Sequence, residues 1–248
     1  LTQLDDLQMY FGHSLRIDDR ITVKHPRIGA IIDYGEQRYR RIIGALTTSP
    51  SMMISVLDDM GVDWETISDF ELFTGYLRNM LTDEDSAFIF DGLRLNEYNA
   101  VRNANGELLL RSVVTGHEIG QEQYWAIAEF MRRVHGTKHV VRKAGNFITK
   151  RRIIEADREE RMTEAANRKE ETSYLLPIIS ALLNSPGFKY NLEQIRDLPY
   201  FTVTESLKRI TAIRQADALL NGAYCGMADL SKIPKMEFDW IRDLSKDG

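Results

Sequence analysis

His25-Pro-Arg-Ile-Gly-Ala-Ile-Ile-Asp-Tyr-Gly-Glu-Gln-Arg-Tyr-Arg-Arg-Ile-Ile43 sets five isoleucines among a dense set of charges. At about 100° per residue, Ile28, Ile31, Ile32, Tyr39, Ile42, Ile43 and Leu46 fall on one arc, which predicts a half-buried packing helix. Pro26 suits the first helical turn, where its missing N–H costs nothing. Asp33, Glu36, Gln37, Arg40 and Arg41 fall on the other side. Gly35 lies within the apolar arc, where glycine costs roughly 1 kcal/mol against alanine, so a close approach by another backbone is expected there.

Further helices follow. Ser49-Pro50 opens a segment with Met53, Val56, Leu57 and Met60 as its inner face and Gly61 as its terminator. Ser68 and Glu71 have the spacing of a capping box, before an inner face of Leu72, Phe73, Tyr76, Leu77 and Met80. The pattern then turns to period two. Asn105-Gly106 predicts a two-residue hairpin turn between Tyr98-Asn-Ala-Val-Arg-Asn-Ala104 and Glu107-Leu-Leu-Leu-Arg-Ser-Val-Val114. Leu15, Ile17, Ile21 and Val23 alternate with polar residues and suit another strand.

Helical periodicity resumes at Ile119, with Tyr124, Ile127, Ala128, Met131 and Val134 inward and Trp125 and Phe130 on the flanks as candidate protein-contact residues. Ala156 to Thr172 is almost wholly polar, with Asp157/Arg161 and Glu164/Arg168 at i,i+4 spacing. It reads as an exposed connecting helix and a domain boundary. An apolar helix ending at Asn184-Ser-Pro-Gly187 comes next. A long one then carries Val203, Leu207, Ile210, Ile213, Leu220 and Tyr224, with Arg214 and Asp217 projecting into the same arc. Two charges there need each other or a partner chain. Phe238, Trp240, Ile241 and Leu244 suggest a final docked helix. The expected class is mainly α with a small antiparallel β insertion (α+β), a helical bundle. Its expected parts are an N-terminal arm (1–24), a helical part (25–85), a β-hairpin insertion (86–116), a helix pair with the charged connector (117–172) and a C-terminal helical part (173–248).

Composition narrows the function classes. A chain of 248 residues with 43% apolar and 28% charged residues can bury a real core. Six prolines in that length favour long helices. No run reaches the roughly 18–20 apolar residues of a membrane helix and no signal-peptide pattern opens the chain, so a cytosolic protein without a membrane partner is expected. Because the first residue is Leu1, a start upstream is expected. The single Cys225 excludes an internal disulfide and any multi-thiolate zinc site. A net charge of −5 argues against a general nucleic-acid binder.

Catalytic patterns are missing. His135 and His139 are near in sequence, but Gly136 is expected to break the helix that would align them as metal ligands. His25 and His117 read as turn or cap residues, and His13 has no partner in sequence. Acidic doublets such as Asp58-Asp59 point about 100° apart on a helix and do not share a site. Thr82 to Ser86 is acidic without the spacing of a calcium loop. No phosphate loop, nucleophile elbow or zincin helix is present, and no catalytic residue, metal ligand or cofactor is assigned. Between Lys138 and Ile154, Lys138, Arg142, Lys143, Lys150, Arg151 and Arg152 form a basic run without an acid. It is a candidate patch for phosphates or for an acidic protein; only Phe147 is present for base stacking.

Four stretches carry a resemblance: the opening segment with Thr47-Thr-Ser-Pro-Ser-Met-Met-Ile-Ser-Val-Leu-Asp-Asp-Met60, then Ala144-Gly-Asn-Phe-Ile-Thr-Lys-Arg-Arg152, then Leu175-Leu-Pro-Ile-Ile-Ser-Ala-Leu-Leu-Asn-Ser-Pro-Gly187, then Leu219-Leu-Asn-Gly-Ala-Tyr-Cys-Gly-Met-Ala-Asp229. From about Ile21 onward the chain resembles proteins of tailed phages and prophages of Gram-positive bacteria that look like tail assembly chaperones. The matching residues are packing and turn residues, so what transfers is a context. The resemblance implies a helical protein of the infected cell's cytoplasm, or of the virion, that binds the tape-measure or tail-tube protein. Some such chaperones are products of a longer frameshifted gene. Met52, Met53, Met60 and Met80, expected on inner faces, would adapt to varied helical partners. A ring-forming virion connector, hence a homo-oligomer, and a nucleic-acid-binding accessory protein are the alternatives.

Overall fold

The computed structural model describes residues 4–167, 172–226 and 233–244. The chain is mainly α with two small antiparallel sheets, the expected α+β class. After a short α1 (Asp6–Tyr10), the opening segment is two helices, not one: α2 (Ile28–Tyr34) and α3 (Glu36–Thr47) meet at Gly35, whose φ of +102° strains any residue with a Cβ. A Cβ there would meet nothing nearer than Arg38 Cβ at 4.0 Å, so Gly35 is required for the bend and not for a close approach. The close approach belongs to Gly29, where a Cβ would lie 3.0 Å from the Arg196 carbonyl oxygen of α10 (Gln194–Asp197). The break keeps Ile28, Ile31, Tyr39, Ile42 and Leu46 buried while Ile32 turns outward, 38% exposed.

Pro26 lies just before α2, whose N-cap is Arg27, and not within its first turn. Ile28 N–H donates to the Leu198 carbonyl and Tyr200 N–H to the Pro26 carbonyl, 3.1 and 2.8 Å. The start of α2 is thereby laced to the start of α11 (Tyr200–Tyr224). Just past the bend, the Glu36 carboxylate accepts from Ser173 Oγ at 2.6 Å and from the backbone N–H groups of Tyr174 and Leu175. It caps α9 (Leu175–Leu183), where a negative charge is favourable.

The capping box at Ser68 and Glu71 opens α5 (Asp69–Gly75) as expected. A second box, Thr82 with Asp85, opens α6 (Asp83–Ile89). The alternating residues near the start form β1 (Leu15–Arg16) and β2 (Thr22–Val23), and β2 pairs with β3 (Phe90–Asp91). Gly92 ends that strand at φ +82°, and a Cβ on it would lie 1.8 Å from the Arg20 carbonyl oxygen. The expected hairpin is present as β4 (Tyr98–Arg102) and β5 (Leu108–Ser112), and β6 (Glu118–Ile119) adds a third strand. Its turn is longer than two residues. Asn103 pairs with Glu107, the Asn103 side chain accepts from the N–H groups of Asn105 and Glu107, and Gly106 supplies the positive φ.

α7 (Gln121–His135) buries Tyr124, Ile127, Ala128, Met131 and Val134 and ends at Gly136 in the left-handed conformation. The connector is α8 (Phe147–Ala166), and it is not simply exposed. Ile154 and Asp157 are buried against α4 (Ile54–Asp59), with Asp157 accepting from Ser55 N–H and Oγ at 2.9 and 2.6 Å. The Asp157–Arg161 pair forms at 3.1 Å, whereas the Glu164/Arg168 pairing lies outside the described residues.

Three further expectations are corrected. On α11 the stripe leaves the core after Ala216, so Tyr224 is 86% exposed. Arg214 and Asp217 are both exposed rather than buried in the stripe, and Arg214 donates to Ser185 Oγ at 3.0 Å. The final docked helix is a 3-10 turn, Lys235–Phe238, after which Arg209 holds the carbonyls of Trp240 and Arg242. Leu244 is buried, but Trp240 and Ile241 face solvent. Finally, Met52, Met60 and Met80 are exposed, not inner-face residues, because Met52 and Met80 lie in 3-10 turns that flank the helices and Met60 stands at the C-cap of α4 before Gly61; Met53 alone of the four packs on the core.

Candidate interaction surface

Four of the five histidines are held as structural groups. Tyr39 Oη lies 2.7 Å from His135 Nε2, which suits a neutral ring accepting the phenol proton, and Tyr200 packs on the same ring. His25 packs edge-on against Phe130. His117 bridges the two sheets, with Nδ1 2.9 Å from Tyr98 Oη and Nε2 2.9 Å from Asp18 Oδ2. His139 Nε2 is 2.9 Å from Asp69 Oδ2 but off the line of a good hydrogen bond. Each of these four histidines thus has its own partners, while His13 is exposed. Among the described residues no three His, Cys, Asp or Glu side chains converge as metal ligands.

Two of these rings make the fold sensitive to acid. Burial lowers His25 to about 4, with the Pro26 carbonyl opposing and the Arg27 charge adding to the shift. Burial also lowers His135 to about 3, with the charge of His25 adding. Both values lie below the 6.5 of an unfolded chain, so the unfolded state binds the extra protons. Stability is therefore complete above about pH 6.5 and is lost as pH falls through about 4 and 3. The slope for two such groups reaches about 3 kcal/mol per pH unit. Urea unfolding midpoints at pH 7, 6 and 5 should fall in sequence, and a flat series would refute this.

The basic run is clasped along one side of the molecule. Ser49 Oγ donates to the Val140 carbonyl at 2.7 Å, Ser51 Oγ accepts from Arg142 N–H at 2.8 Å, and Trp64 Nε1 donates to the Arg142 carbonyl at 3.4 Å. Glu65 accepts from Ala144 N–H at 2.7 Å. Between this strap and the body lies a pocket of about 140 Å³ lined by Pro50, Trp64, Ile67, Asp69, His139 and Val141.

The six candidate basic residues do not act as one patch. Lys150 is taken within the chain: its Nζ lies 2.6 Å from Asp63 and 2.8 Å from Glu65, over the Trp64 ring. These carboxylates raise the Lys150 pKa, and its charge is neutralised on the spot. Lys138, Arg142, Lys143, Arg151 and Arg152 are exposed, and with them Val141, Phe147 and Ile148, at 62%, 73% and 66%. The outward surface is apolar as well as basic.

Of the candidate contact residues, Trp125 is 41% exposed and packs against His139 on the pocket wall, so it adjoins this surface. Phe130 does not: it is 4% exposed and belongs to the core, because α7 is covered on that flank by His25. Arg214 and Asp217 lie on α11, beside Ser185 in the former case.

Sequence reasoning missed Arg132. It is 1% exposed, donates through Nε and Nη2 to the Thr47 carbonyl at 3.1 and 3.0 Å, and reaches Asp69 at 2.8 Å. Its neighbour Met131 lies on the inner stripe, which is the one local sign that Arg132 stands at the stripe's edge. Among the described residues no helix is long and apolar enough to cross a membrane. No protein-family model, no curated protein and no solved structure matches this chain.

Proposed function

We propose that this chain is a tail assembly chaperone of a tailed phage, a binding protein and not an enzyme, whose partner is the helical tape-measure protein. The sequence resemblance supplies the context. The observation that carries the reading is the set of outward methionines: Met52, Met60, Met80 and Met162 are 43%, 49%, 53% and 59% exposed. Methionine is unbranched and polarisable, so it fits apolar helices of varied shape and is over-used at promiscuous binding surfaces. The exposed Val141, Phe147 and Ile148 add apolar area beside α8. A nucleic-acid role has less support, since Lys150 is withdrawn from the basic run.

The test is coexpression with the tape-measure protein from the same genome, followed by size exclusion with light scattering. A soluble co-complex is expected, together with its weakening when Met52, Met60 and Met162 are replaced by serine. A stable ring of this chain alone, with no change on adding the tape-measure protein, would reject the proposal in favour of a virion component.

A further inference from the structure

α8 presents two outward halves of opposite charge. Its packing side carries Lys150, Ile154, Asp157 and Arg161, and among the described residues its ion pairs lie there or at its edge: Lys150 to Asp63 and Glu65, Arg158 to Asp58 and Asp59, Arg161 to Asp157. At about 100° per residue, the opposite side carries Ile148, Arg151, Arg152, Glu155, Glu159 and Met162. All six are exposed. Within one copy Arg151 and Arg152 stand one turn from Glu155, whereas Glu159 has a like charge, Glu155, at i−4 and no arginine at i±3 or i±4.

We propose that α8 is a self-recognition surface, pairing antiparallel with α8 of a second copy. Pairs 148/162 and 151/159 share one midpoint, residue 155. An antiparallel partner centred there sets Arg151 against the second copy's Glu159 and Ile148 against its Met162, and repeats both contacts across the dyad. Glu155 of each copy then meets Glu155 of the other on the dyad, a like-charge contact offset by the second copy's Arg151 and Arg152 one turn away. The same patch meets itself, as a two-fold interface requires. An in-register parallel pairing would set Arg151, Arg152, Glu155 and Glu159 each against itself, with no Arg facing a Glu, so repulsion disfavours it more than the antiparallel pairing. A helix of 20 residues is about 30 Å long, so the pair buries an area at the small end of specific interfaces, and the dimer is weak and salt-sensitive. Ile148 and Met162 belong both to this pairing and to the proposed partner surface, so the two occupants compete for one face of α8, and the pairing is tested on this chain alone.

Charge reversal tests it. Wild-type protein, R151E/R152E and E155R/E159R are examined by sedimentation across the micromolar range at low and high salt, with circular dichroism to verify helicity. Wild type should dimerise at low salt, and each variant should show a dissociation constant at least about tenfold higher. An equimolar mixture of the two variants should recover a dimer with one copy of each, since an all-Glu stripe then faces an all-Arg stripe. If the reversed helices lose helicity, R151A/R152A and E155A/E159A replace them, each again expected to weaken the dimer. A monomeric wild type, variants that dimerise as wild type does, or failure of the reversed pair to recover a dimer would each overturn the proposal. So would a wild type that shifts only on adding duplex DNA, which would assign the basic half to nucleic acid.

Discussion

Replacing Asp85 by alanine is expected to destabilise the fold by about 3–5 kcal/mol, the range for removing one partner from a buried charge network. Asp85 is fully buried and accepts from Tyr34 Oη at 2.5 Å, Arg38 Nε at 3.1 Å, and Thr82 N–H and Oγ1 at 2.7 and 2.8 Å. It therefore ties α2, α3 and the first turn of α6 together through one carboxylate. Burial by itself would raise its pKa, but the hydrogen bonds from Tyr34, Thr82 and Arg38 outweigh burial and lower it to about 2. Its contribution is present above the unfolded value of about 3.8 and is lost as pH falls through about 2. Because Tyr34 stacks on Phe88 and Arg38 lies over the Tyr34 ring, the alanine variant also frees an aromatic contact. Asp85→Asn keeps the shape and should fall between. Urea unfolding at pH 7 measures this, and an alanine variant within about 1 kcal/mol of wild type would show the network to be dispensable.

Arg132→Leu should cost about 3–4 kcal/mol, for a different reason. The guanidinium holds the last carbonyl of α3, Thr47, and the first carboxylate of α5, Asp69, from inside α7. Leucine leaves both acceptors without their charged donor in a dry site. Lysine restores the charge but not the fork, so Arg132→Lys should recover less than half of the loss. One guanidinium nitrogen, Nη1, is buried without a hydrogen-bond partner, so the native site is already under-satisfied and the leucine cost stays below the top of the range. A double-mutant cycle with Asp69→Asn should give a coupling above about 1 kcal/mol. Additivity would mean that Arg132 acts through packing alone.

What the sequence disclosed was mostly short-range. The capping box at Ser68, the hairpin around Asn105-Gly106, the stripe of α7 and the left-handed stop at Gly136 depend on residues within a turn of each other, and each is present. Gly35 was conspicuous, but periodicity continues on both sides of it and gives no sign that the chain bends there. The contacts that define the candidate surface are long-range. Asp63 neutralises Lys150 across 87 residues and Ser55 meets Asp157 across 102, so a run of positive residues overstates the free charge, and a polar helix hides a buried carboxylate. Arg214 and Asp217 fail for a related reason: a periodic stripe does not tell where the core beneath it stops.

The lacing of α2 to α11 also sets an order of events on the ribosome. The N–H of Ile28 finds its acceptor at Leu198, and the Pro26 carbonyl is met by Tyr200. Translation runs at about 5–20 residues per second, so the beginning of α2 emerges on the order of ten seconds or more before the segment that completes it. During that interval the seam has no second side, and its closure is a non-local step of the kind that slows folding. A protein that finishes its own fold last at that seam is exposed to proteases and to other chains for longest there, and synthesis speed through the final third becomes a determinant of yield.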